Sequence, residues 1–324
     1  MTLRTRLTEK LGIAHPILLA PMGGVAGGRL AAAVSDAGGL GLIGGGYGDG
    51  AWLDREFAAA GNRRVGCGFI TWSLAKNPAL LDRVLAHAPA ALMLSFGDPL
   101  PFAARIRAAG SVLICQVQDG EQTLRALDAG AEIIVAQGTE AGGHGGARAT
   151  LPLVPVLVDL VARRAPEAMV VAAGGIADGR GLAAALTLGA EGVLVGTRFY
   201  ATTESLAHDL AKARVVAASG DATLRTTIFD IVRGLDWPKP YTGRALSNAF
   251  SGRWHGHEAD LSARVTDEMK RYKAAVEAGD FSTAVIFAGE DVDLIDDTPP
   301  AATIVARLAQ EAERALQAAA RRLA

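Results

Sequence analysis

The chain has 324 residues, half of them apolar and 20% charged, with a formal net charge of -2. That composition supplies a large buried core and no basic surplus to neutralise phosphates, which argues against nucleic acid as the main partner. The start, Met1 to Lys10, is polar, and no apolar stretch is long enough to span a bilayer without a break, so a cytoplasmic protein with no membrane partner is expected.

Short apolar runs then recur, each followed by a helix-compatible stretch. Ile17–Met22 precedes Gly28–Ala37. Leu40–Gly44 precedes Ala51–Ala60. Arg64–Thr71 precedes Pro78–His87. Ala91–Phe96 precedes Pro99–Ala109. Val112–Val117 precedes Glu121–Ala129. Glu132–Gln137 precedes Val154–Arg164. Met169–Ala173 precedes Gly179–Leu188. Gly192–Gly196 precedes His208–Ala218. Unbroken apolar strands alternating with helices imply parallel strands buried on both faces. Eight such pairs in about 200 residues fit a closed (β/α)8 TIM barrel better than an open, doubly wound sheet, which stays the alternative. Cys67 and Cys115 lie inside apolar runs and read as buried thiols, not as a disulfide or a metal site.

From about Thr223 the pattern changes. Trp237-Pro238-Lys239-Pro240 and Trp254-His255-Gly256-His257 are irregular and aromatic. Helix-like stretches follow at Ala263–Ala278 and Thr303–Leu323. The expected organisation is a barrel over 1–222, a small and mainly helical cap or substrate domain over 223–300, and a closing helix, 301–324, that returns to the barrel.

In such barrels ligands sit at the C-terminal ends of the strands. The unusual glycine patterns fall there: Pro21-Met22-Gly23-Gly24, Gly174-Gly175 with Asp178-Gly179, and Gly196-Thr197-Arg198. Glycines allow close backbone approach, and the loops after the seventh and eighth strands are the usual phosphate cradle. No GxGxxG pattern opens the first turn, which argues against a Rossmann-type nicotinamide site. After the sixth run, five glycines occur within the nine residues Gly138–Gly146, around the single imidazole of His144. A solvated histidine on a flexible loop is the bland alternative. His255 and His257 lack a third ligand and read as surface residues; His15 and His87 read as structural or exposed. Trp237, Tyr241 and Trp254 either line the site or form the cap's core.

Four motifs in order resemble the nitronate monooxygenase (2-nitropropane dioxygenase) family: Pro21–Gly24, Gln137–His144, Ala173–Gly179 and Gly196–Phe199. The resemblance runs from about Leu3 to about Ala201 and is weaker over the tail. It implies noncovalent FMN in a barrel, with the phosphate on Gly174, Gly175, Gly196 and Thr197 beside Ala173. It places the ring against Pro21, Met22, Gly23 and Gly24, with Thr71, Gln116, Gln137, Gly142 and Gly143 also in contact. His144 matches the catalytic histidine, as general base or as partner of an anion. Some relatives carry lysine where Gln116 stands, and relatives tend to have an asparagine near Gly68–Thr71. The implied activity is oxidation of nitronates or nitroalkanes by O2 to a carbonyl compound and nitrite. The alternative is an NAD(P)H-dependent flavin reductase of quinones or enoyl thioesters. A homodimer is left open.

Overall fold

Alternation inside each apolar run decides the architecture. In the first run Leu18 joins one buried cluster while Ile17 and Leu19 join another. The computed structural model describes residues 3–323. In chain order its strands are β1 (Ile17–Leu19), β2 (Leu42–Gly44), β3 (Gly66–Ile70), β4 (Ala91–Ser95), β5 (Val112–Val117), β6 (Ile133–Gln137), β7 (Gly143–Gly145), β8 (Met169–Ala173), β9 (Val193–Val195), β10 (Thr223–Thr226) and β11 (Thr242–Leu246). Eight of them pair in the order β1-β9-β8-β6-β5-β4-β3-β2, and the named pairs are parallel. Leu18 bridges Leu40, where the Leu19 and Leu40 N–H groups each donate at 3.0 Å across the seam. The ring is therefore closed as a (β/α)8 barrel, and the barrel sheet has no free edge.

The barrel interior holds Leu18, Leu42, Met93, Ile114, Ile133, Val135 and Val171, all buried. Leu7 and Leu11 of the helix Arg6–Leu11 belong to the same cluster. That helix starts in a capping box between Thr5 and Thr8 and stops at Gly12, which takes φ 60°. Such caps satisfy end groups that a six-residue helix cannot satisfy alone. Its start is tied to Glu191, just ahead of β9, so it plugs the N-terminal end of the barrel. The outer cluster joins the strands' other faces to the surrounding helices. Both cysteines are free and buried. Burial pushes the Cys67 thiol up, and pushes that of Cys115 up to about 12.

The eight expected helices are present, with one shifted start. The helix expected from Val154 begins at Thr150, because the Glu140 carboxylate accepts the Thr150 N–H at 2.9 Å and holds the turn. The final helix spans Ala301–Ala320 and ends short of the expected boundary. Ala324, like Met1 and Thr2 at the start, lies outside the described residues. Residues 223–300 contain the helices Ile228–Arg233, Ala249–Trp254, Glu258–Ala263 and Val265–Glu277. They also contain β10 and β11, which form a three-stranded antiparallel sheet with β7. β7 was not expected: it is a strand within the glycine-rich loop after β6. No helix among the described residues is long and apolar enough to cross a membrane.

The closing helix packs on Gly179–Thr187 and on Gly28–Asp36. The Gly179 N–H donates to Glu311 at 3.0 Å. A Cβ on Gly179 would lie 2.3 Å from Glu311 Cβ and 2.4 Å from the Ala312 nitrogen. Gly179→Ala should therefore destabilise the protein by roughly 1–3 kcal/mol through overpacking. Gly252, in the helix Ala249–Trp254, has nothing near its missing Cβ. Gly252→Ala should be neutral or stabilising by up to ~1 kcal/mol. Urea denaturation of both variants separates the two effects, and equal behaviour would contradict the tight helix packing.

Candidate active site

A cavity of about 1100 Å³ opens where the barrel strands end. Pro21, Met22, Gly23, Gly24, Gln116, Gln137, Gly142, Gly143, His144, Ala173, Gly174, Gly175, Gly196 and Thr197 all line it. Thr71 stands apart: it is 1% exposed, is absent from the lining, and its hydroxyl has no hydrogen-bond partner. It sits at the start of a short helix directly after β3, one residue past the strand's cavity-lining end at Ile70.

Glycine makes the walls thin. Gly174 and Gly175 take φ 103° and 71°, the left-handed region that side chains avoid. A Cβ on Gly174 would come within 3.0 Å of the Gly138 carbonyl and of Thr150 Oγ1. Thr197 lines the same cavity, and its hydroxyl accepts the Gly289 N–H at 3.0 Å. Thr197 is also hydrogen-bonded to Asp291, a buried, cavity-lining carboxyl that desolvation pushes up to about 6. Deeper in, amides form a chain. Gln116 and Gln118 both donate to Gln137 Oε1, at 3.1 and 2.8 Å, and Gln137 donates to the His144 carbonyl at 3.0 Å. Each amide is thus fixed in one orientation, with Gln116 presented to the cavity.

His144 is not on a loose loop. It occupies the centre of β7, opposite Gly243 of β11, and is 8% exposed. Glu140 anchors the run that leads to it, accepting both the Thr150 N–H and, at 2.8 Å, the Thr150 hydroxyl. Arg244 donates to the Thr139 carbonyl at 2.9 Å from the other side. The imidazole stacks on Trp237 with centroids 3.5 Å apart and planes at 4°, and Phe287 packs at 5.5 Å. Nε2 sits 2.9 and 3.0 Å from the two oxygens of Asp230. Burial pulls the His144 pKa below its ordinary value, and the Asp230 carboxylate opposes that shift without reversing it. The ring is therefore neutral at neutral pH. With Nε2–H on Asp230, Nδ1 keeps its lone pair.

Sequence reasoning missed several of these groups. Asp230 lies 86 residues from His144 in the chain, so no local spacing could reveal the pair. Gly44–Asp49 also lines the cavity; its run of glycines around Tyr47 was a readable signal. Gly44 must be bare, since a Cβ there would lie 2.3 Å from the Met22 carbonyl. Trp237 lines the cavity and donates from Nε1 to the Tyr47 hydroxyl at 2.9 Å. Tyr241 packs edge-on against Phe96 and Trp237. Trp254 is instead core, 4% exposed among Phe229, Phe250 and Tyr272. His87 and His257 are exposed. No group of three or more His, Cys, Asp or Glu side chains among the described residues could hold a metal.

The family model for nitronate monooxygenase matches residues 4–62 and 72–311. The chain belongs to the nitronate monooxygenase family. Nitronate monooxygenase from Neurospora crassa is 34% identical, over 94% of this chain and 90% of that protein. A second relative, 32% identical over 98% of this chain and 99% of its own length, is (3aS,4S,5R,7aS)-5-hydroxy-7a-methyl-1-oxo-octahydro-1H-indene-4-carboxyl-CoA dehydrogenase of Mycobacterium tuberculosis. Among solved structures, FabK from Thermotoga maritima superposes with a TM-score of 0.86 at 30% identity, covering 98% of both chains. The protein is an oxidoreductase of a flavin-dependent family. Its cavity suits a flavin on its own evidence. Gly174 and Gly175, both in the left-handed region, line the same cavity as Gly196 and Thr197, a side-chain-free wall where backbone N–H groups can face an anion.

Asp291 makes the stability of this family member depend on pH. Its folded pKa, about 6, lies above the ordinary 3.8. Above about pH 6 the folded state carries a buried carboxylate at a cost of about 3 kcal/mol, and that cost is relieved as pH falls through 6 towards 4. Asp291→Asn should therefore be more stable than the parent at about pH 8 and equal to it near pH 4. Urea titrations at both values check this; a constant difference would contradict it.

Proposed function

We propose that the protein oxidises small alkyl nitronates, using noncovalent FMN and O2, to a carbonyl compound and nitrite. The observation that carries this reading is the Asp230–His144 pair: a buried, neutral imidazole held by a carboxylate at 2.9 Å over the cavity. We read 1–222 with the closing helix 301–324 as the flavin-binding unit and 223–300 as the substrate unit. The phosphate is assigned to Gly174, Gly175, Gly196 and Thr197. The ring is assigned to the Pro21–Gly24 wall, with Gln116 and Gln137 at its edge.

The residues support the chemistry step by step. A nitroalkane enters beside Trp237 and Phe287, whose rings exclude water from the imidazole. Nδ1 of His144 takes the α-proton, and the electron pair of the broken C–H bond moves onto the nitro group to give the nitronate. Asp230 stabilises the imidazolium that forms and keeps the ring from turning. When bound, FMN supplies the electron acceptor and the reactivity towards O2. A preformed nitronate bypasses the proton step, and His144 acts as its charge partner only when protonated, below its lowered pKa.

A second reading is favoured by one feature. The cavity continues past His144 to Tyr272, Lys273 and Val276 of the helix Val265–Glu277, space beyond what a small nitronate needs. One relative acts on a coenzyme A thioester. An NAD(P)H-dependent reductase of enoyl thioesters or quinones would use that space. Anaerobic mixing separates the two: bleaching of the flavin by a nitronate but not by NADH supports the first, and the reverse supports the second.

Heat denaturation should release FMN; release of FAD would overturn the cofactor assignment. Gly175→Val should give folded, colourless protein, because a side chain cannot adopt φ 71° without strain and its Cβ would press on Glu140 at 3.3 Å. Full flavin occupancy in that variant would remove Gly175 from the phosphate site. His144→Ala should lower turnover of neutral nitroalkanes by ~10²–10⁴-fold and of preformed nitronates by less. For the parent, nitroalkane kcat/KM should fall as pH drops below the ordinary histidine value, since His144 titrates beneath it. Asp230→Asn removes the interaction that raises that pKa, so the acid limb should move to lower pH. An unmoved limb would show that Asp230 does not act through His144.

A further inference from the structure

Arg233 ends the helix Ile228–Arg233, one turn after Asp230. It lines the cavity with His144 and Trp237. Its Nη1 is buried and makes no hydrogen bond. The nearest carboxylate oxygen, on Asp230, is 4.0 Å away, and that carboxylate is already committed to His144 at 2.9 Å. The guanidinium lies over the rings of Tyr47, at 5.7 Å, and Phe287, at 5.8 Å, and is hydrogen-bonded to the Tyr47 side chain. Aromatic faces offset part of the cost of a largely buried cation, but they leave Nη1 without an acceptor. Of the neighbouring arginines, Arg244 is tied to Glu290 and to the Thr139 carbonyl, while Arg225 donates through Nη1 to the Gly143 and Thr242 carbonyls; its unpartnered Nε and Nη2 are outside the cavity lining, to which Arg233 belongs.

We propose that Arg233 is the substrate's anion receptor, taking a planar group with two oxygens, a nitronate or a carboxylate, beside His144. A guanidinium presents parallel N–H donors that match such a group at both oxygens, which an ammonium does not. The same helix thus carries two functions three residues apart: Asp230 orients the base and Arg233 reads the charge. This assignment rests on the nitronate reading for its substrate, but it makes a separate claim, that the ligand binds as an anion. Neutral nitroalkanes gain less from Arg233, so the site selects the deprotonated form.

The test is a calorimetric titration of the holoenzyme with propionate, a small carboxylate isosteric with ethylnitronate, at about pH 8, where His144 is neutral. Arg233→Met should weaken propionate binding and raise the KM for propyl-1-nitronate by ~10–150-fold, the range for hydrogen bonds to a charged group. Flavin content should not change, and the KM for neutral 1-nitropropane should move by less than about threefold. Arg233→Lys keeps the charge without the fork and should fall between the parent and the methionine variant. If the methionine variant does not fold, the lysine variant decides, because a loss of propionate affinity there supports the fork and an unchanged affinity overturns it. Absence of propionate binding to the parent, or equal losses for anion and neutral ligand, also overturns the proposal. Arginine-dependent propionate binding without nitronate turnover would support the receptor and sink the nitronate reading.

Discussion

The site depends on three residues of backbone pairing. Gly143, His144 and Gly145 form β7 only because β11 offers them an antiparallel partner. A glycine-rich run has more conformational freedom to lose than any other sequence, so nothing local would hold it. Tertiary anchors supply the order: the β11 ladder, the Glu140 carboxylate on the start of the next helix, and Arg244 on the Thr139 carbonyl. The partner strand lies about a hundred residues downstream. The segment after the barrel therefore does more than cover the mouth, since it completes the sheet that aims the imidazole.

Electrostatics at that imidazole is a balance of close opponents. Burial lowers its pKa, Asp230 raises it, and Arg233 and Arg225 lower it again. Asp230 is shared between a ring at 2.9 Å and a guanidinium at 4.0 Å. The imidazole and the guanidinium thus share one carboxylate and form a single electrostatic unit.

Much of the fold was legible because it is written in local signals. Eight apolar runs with helical intervals gave the barrel, and the glycines at the strand ends gave most of the cavity wall. Local reasoning failed where a contact joins distant segments. Asp230 and Arg233 sit on an ordinary amphipathic turn with nothing in its spacing to mark it. β7 carries no strand propensity, since Gly-His-Gly is what a loop looks like. Thr71 was a near miss of one position, because the helix after β3 begins at once and carries its side chain out of the lining. Trp237 and Trp254 were indistinguishable by composition, yet one stacks on the base and the other fills the core.

The two sulfurs carry a consequence for endurance. Oxidants attack thiolates, and they do so where they can reach them. Cys67 and Cys115 are enclosed by the barrel's strands and helices, and burial holds both as protonated thiols far above neutral pH. Neither is in the cavity lining. An oxidoreductase built this way can pass electrons at the mouth of its barrel while its own chain offers no reactive cysteine to be spent.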